Sequence, residues 1–234
     1  MKLVGERRAL AATVLAFYFI MYLMNGLLGD EEVRNVAFVM SGVYGLAFFS
    51  LVAGYFWARW YSVGVGLFGV IVAIVMMWVT KTLEQQFLFI LGTHLVVTLG
   101  LWGHAMSEPF DGQQAWRQKF HMDDNAVQRL GRSVIRAGVM LPFILIYAVA
   151  PKQGMDVVAM GALVLALLGF RGLVQLKTWG VISMGLAGFL MLGMPSHQVM
   201  LGGHVMALAS LPIALLLFAV AAPFVRPMAR FVRA

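Results

Sequence analysis

Five histidines and no cysteine set the chemistry this chain can offer: imidazole is available as proton carrier, hydrogen-bonding group or metal ligand, and thiolate is not. His94 and His204 fall inside long apolar runs, where an ionisable side chain is costly and therefore marks a site to be explained. His197 lies seven residues before His204, nearly on the same face of a helix. Asn25, Asp30, Glu31 and Glu32 close the first apolar run and fall at a similar level, so an outer polar cluster is open to the fold. Imidazoles and carboxylates together suit a divalent metal, and two imidazoles suit the axial positions of a haem. The plainer reading ties each histidine to a neighbouring backbone or threonine, as His94 could be tied to Thr98 or to another span. No H-x-x-x-H, H-E-x-x-H, G-x-S-x-G or phosphate-binding glycine loop occurs, and no family is identified from the chain.

The carboxylates fall elsewhere. All ten acidic residues lie at the ends of apolar runs or between them, whereas proton- or sodium-coupled carriers use carboxylates buried in the membrane. An ion-driven carrier is disfavoured on that ground.

Whatever these side chains do, spanning helices must position them. Of 234 residues 62% are hydrophobic and 12% charged, with a mean hydropathy of +0.87, against roughly 25% charged in a soluble domain. The charges gather at intervals, and the runs between them approach the roughly 20 residues that cross a hydrocarbon core. Period-two alternation is absent, which argues against a membrane barrel. The spacing predicts an all-α polytopic transmembrane bundle of about eight spans, near residues 9–28, 36–57, 61–79, 86–106, 134–150, 155–171, 178–194 and 199–222, with seven as the fallback around 155–194.

Eight spans put both termini on one face. Of the seventeen lysines and arginines, only Arg34, Lys81 and Lys152 then fall on the other face. That division predicts N-in/C-in topology in a bacterial inner membrane, with basic loops towards anionic lipid and no role in nucleic-acid binding. A cytoplasmic loop, 107–133, separates a first four-helix half (1–106) from a second (134–234). On a helix running from the loop into the fifth span, Arg129, Arg132 and Arg136 form one stripe, a surface for anionic headgroups or for a soluble partner. Leu91-Gly92-Thr93-His94 and Leu201-Gly202-Gly203-His204, with Gly69-Val70-Ile71 and Gly180-Val181-Ile182, sit at near-equal offsets and point to a parallel four-plus-four repeat. His94 and His204 would then approach each other in the outer half.

Three function classes follow: a non-catalytic subunit or scaffold of a membrane assembly, packed against other membrane subunits; a small-solute transporter or channel with its pathway between the halves; and a haem or metal protein using His94, His204 and His197. The apolar later helices and the lack of central charges favour the first, so a catalytic role is the less favoured reading and stays open.

Overall fold

A computed structural model describes residues 4–103, 106, 124–149, 156–200 and 204–233, with side chains described at all of these but 124–125, 156, 195–200, 204–209 and 225–233. Every regular element among them is a helix: α1 Val4–Leu28, α2 Glu31–Ala53, α3 Ala58–Thr80, α4 Gln85–Leu101, α5 Asp124–Val149, α6 Asp156–Val174, α7 Thr178–Met200 and α8 His204–Arg233. Five are long and apolar enough to cross a membrane (α1, α2, α3, and Ala126–Val149 and Val157–Val174 of α5 and α6), and shorter apolar stretches occupy Gln85–Leu101, Thr178–Met194 and Ser210–Phe224. Their outward faces are apolar too. Leu28, Trp78, Phe189 and Leu215 are each at least 65% exposed, which water would penalise and lipid would not. These features point to an integral membrane protein.

The boundaries differ from the sequence reading where something other than hydropathy ends or prolongs a helix. α4 stops at Leu101, ahead of the expected 106, because Trp102 is extended and Gly103 has φ 106°. α5 begins ten residues before the apolar run at 134, because the amphipathic stretch ahead of it is continuous with the span. α7 runs through His197, where a loop is predicted.

The chain divides into two compact units, Met1–Asp124 and Asn125–Ala234. In the first, α1 packs on α2 and α4, and α3 packs on α2 and α4, which closes a four-helix ring. Short connections make each neighbour antiparallel. Asp30 is extended, and its carbonyl accepts from Val33 and Arg34 as α2 begins, with Glu31 and Glu32 in the first turn facing the positive end of the helix dipole. Gly54, at φ 75°, ends α2 in a left-handed turn in which the Tyr55 N–H reaches back to the Ser50 carbonyl. Two arginines tie the ring at this end. Arg8 donates to the carbonyls of Leu51 (2.6 Å) and Val52 (3.0 Å) at the end of α2. Arg7 donates to those of Leu99 (3.1 Å) and Trp102 (2.7 Å) at the end of α4. Both place a cation at the negative end of a helix.

In the second unit α7 packs on both α6 and α8. A Cβ at Gly169, Gly172 or Gly180 would meet backbone of the facing helix, so α6 and α7 approach as closely as small residues permit. α5 is held to α8 by Ser133, which donates to the Val220 carbonyl (2.7 Å), and by Arg136, which donates to that of Ala219 (2.6 Å). The second bond has a covalent cause. A helical carbonyl is served by the N–H four residues on; for Ala219 that residue is Pro223, which has none.

Candidate functional site

Three tyrosines and a histidine meet inside the N-terminal unit. Tyr18 and Tyr22 stand one turn apart on α1 and share a face, while Tyr44 lies midway along α2 and His94 midway along α4. Because α1 borders both α2 and α4, the four rings converge. Tyr44 and His94 are 2% and 1% exposed. The Tyr44 hydroxyl lies 2.6 Å from His94 Nε2, and His94 Nδ1 lies 2.8 Å from the Ile90 carbonyl. A carbonyl oxygen can only accept, so Nδ1 carries the hydrogen. In the neutral ring Nε2 is then a lone pair, and the Tyr44 O–H donates to it.

A second pair has the same logic. The Thr93 hydroxyl donates to the Phe89 carbonyl at 2.8 Å, with that of Ile90 at 3.1 Å. Its oxygen is left to accept, and the Tyr18 O–H donates to it at 2.7 Å. Tyr44 stacks on Tyr18 (centroids 5.1 Å apart, 24° between planes) and on Tyr22 (5.5 Å, 17°), and Tyr18 lies 4.5 Å from the His94 ring. Offset stacking of this kind adds about 0.5–1.5 kcal/mol per pair beyond burial.

Glycine makes the room. A Cβ at Gly69 on α3 would fall within the His94 ring, and one at Gly66, a turn earlier, would overlap Thr98. The ring therefore lies against α3 backbone. Thr98 is not its partner: the Thr98 hydroxyl is buried and makes no hydrogen bond among the described residues.

Beside this cluster the unit holds a cavity of about 540 Å³, whose wall runs from Tyr44 and His94 past Phe68, Val72 and Phe89 to Gln85 and Gln86. Its size is that of a small-molecule site, commonly about 300–1,000 Å³. No lining residue is charged. The two glutamines are exposed and mark its mouth, next to the connection between α3 and α4. Gln86 is engaged with Glu84. Among the polar lining groups, the Tyr22 hydroxyl and the Gln85 amide make no hydrogen bond with described residues.

The other residues singled out from sequence fall as follows. His197 and His204 lie on α7 and α8, but their side chains are outside the described residues. Asn25 donates to the Met21 carbonyl of its own helix, and Asp30, Glu31 and Glu32 are exposed around the start of α2. None of these four lines the cavity. Among the described residues no three histidine or carboxylate side chains are grouped to hold a metal, and as placed His94 spends both ring nitrogens on protein partners. Arg129, Arg132 and Arg136 all lie on α5; Arg132 is exposed, and Arg136 is turned to α8. Gly69 and Gly180, matched in the repeat, have different neighbours: Gly69 faces the fourth helix of its unit, and Gly180 faces the second of its own.

Sequence reasoning singled out His94 but not the three tyrosines. The signal was faint: Tyr18 and Tyr22 at i, i+4 on α1, and Gly66 and Gly69 at i, i+3 on α3.

Fold and site together define an all-helical, integral membrane class of protein with a tyrosine- and histidine-floored cavity inside one unit. No protein-family model matches the chain, and no curated protein or solved structure does.

Proposed function

We propose that this chain is a non-catalytic binding subunit of a membrane assembly, with its N-terminal unit taking up a small uncharged molecule between α1, α2, α3 and α4. The observation that carries this reading is the cavity itself, apolar over most of its wall and floored by polar groups whose hydrogens are already committed to protein partners. A site of that kind recognises and holds; a reactive centre needs a group free to exchange a proton or bind a metal. Eight spans with both termini cytoplasmic would put the mouth, beside Lys81 and Glu84, on the outer face. In the same orientation the exposed Arg132 would meet anionic headgroups.

The test is ligand-observed NMR on the purified full-length chain in detergent, with 4-butylphenol as probe and Val72→Trp as a filled-cavity control. Val72 lines the cavity. Saturable binding that the tryptophan abolishes, with the protein still folded, supports the reading. Absence of saturable binding, or binding indifferent to the tryptophan, overturns it.

A further inference from the structure

The directions of the hydrogen bonds at the cavity floor restrict the ligand further than volume does. We infer that the site selects an uncharged, flat molecule that presents a hydrogen-bond donor, an O–H or N–H, to its deep end. This rests on the cavity being a binding site at all.

Each hydroxyl has one hydrogen to give. The Tyr44 hydrogen goes to His94 Nε2, because Nδ1 already carries the ring hydrogen and gives it to Ile90. The Tyr18 hydrogen goes to Thr93, because the Thr93 hydrogen is spent on backbone carbonyls. Each tyrosine oxygen keeps an unused lone pair, since a phenolic oxygen can accept as well as donate. The deep end of the cavity therefore offers acceptors and no donor. A ligand carbonyl or ether placed there would set lone pair against lone pair, whereas a ligand O–H or N–H would be received. Towards the mouth the Tyr22 hydroxyl and the Gln85 amide can each donate or accept, so that end is permissive.

A cation is the competing occupant, because acceptors surrounded by aromatic rings also suit an organic ammonium group. The lining decides against it, because no anionic group faces the cavity to offset a buried positive charge.

A matched series tests this on the full-length chain: 4-butylphenol, 4-butylanisole, which replaces the donor by a methyl ether, and (4-butylphenyl)trimethylammonium. Specific binding is taken as the saturable part that Val72→Trp removes, which cancels partition into detergent. The phenol is expected to bind about five- to tenfold more tightly than the anisole, the ratio that one net hydrogen bond supplies, with the ammonium weakest. Two variants then read the direction of the bonds. Thr93→Val frees the Tyr18 hydrogen and should raise anisole affinity relative to phenol. Tyr18→Phe deletes one acceptor and should shrink the phenol advantage about threefold or more. If anisole or the ammonium equals the phenol in the wild-type chain, or if the ratio is unmoved in both variants, the donor inference is overturned while the cavity stands as a site. If no probe shows binding sensitive to Val72→Trp, the binding reading itself falls.

Discussion

His94 lies directly over Gly69, so that α4 seats its one histidine against the bare backbone of α3. A Cβ at residue 69 would occupy the space of the imidazole ring. The seat holds Nε2 in line with Tyr44 across the unit, and it couples helix packing to the shape of the cavity.

Gly69→Ala is therefore expected to push the ring away, break the Tyr44 bond and destabilise the protein by about 1–3 kcal/mol, the usual cost of overpacking a filled interior. Gly92→Ala is the matched control, since a Cβ there meets nothing within 4 Å. Denaturant or SDS titration of both variants in micelles checks this. Equal stability would mean that the ring is free to move aside.

Tyr44→Phe keeps the stack and deletes the hydroxyl, leaving His94 Nε2 buried without a donor. A loss of about 1–2 kcal/mol is expected, above the roughly 0.6 kcal/mol average of interhelical bonds in membranes, because the abandoned nitrogen belongs to a side chain only 1% exposed. The same titration reads it, and Tyr22→Phe should cost much less, since the Tyr22 hydroxyl has no partner among the described residues.

Arg136 and Pro223 should be coupled. Arg136 serves the Ala219 carbonyl that Pro223 leaves without its helical N–H. Arg136→Ala alone is expected to destabilise by about 1–3 kcal/mol, as loss of a charge-assisted bond does, and in the Pro223→Ala background to cost clearly less, because residue 223 then supplies the missing donor. A double-mutant cycle measures this, and additive effects would contradict it.

The charge division of the loops predicts the topology. A cysteine introduced at Lys81 should react with an impermeant reagent from outside the cell, and reporter tags on either terminus should read as cytoplasmic. Labelling at residue 81 from the cytoplasmic side alone would reverse the orientation.

Hydropathy made the helices legible because in lipid the backbone must satisfy itself, so an apolar run of sufficient length is already a helix. The ends were less so: α5 starts in an amphipathic stretch, and α4 stops at backbone torsions around Trp102 and Gly103 that hydropathy does not sense. His94 stood out because an ionisable group in an apolar run is expensive. Tyr18, Tyr22 and Tyr44 did not, because tyrosine is unremarkable in a spanning helix and its partner lies 50 residues away in sequence in the case of Tyr44 and His94. In sequence Gly69 marks only one half of an expected repeat; its steric role depends on which helix it faces, and periodicity within an all-apolar helix does not say.

The His94 ring reports on the site by itself, because a bound metal, an exchanging proton and a structural tie leave different marks on its nitrogens. In a ¹⁵N spectrum of histidine-labelled protein, with His94 assigned by difference against His94→Gln, a single neutral tautomer is expected, with hydrogen on Nδ1 and a hydrogen-bonded lone pair on Nε2, and with the Nε2 signal shifting in Tyr44→Phe. A ring protonated on Nε2, a mixture of tautomers, or a signal displaced by chelation would contradict a structural tie.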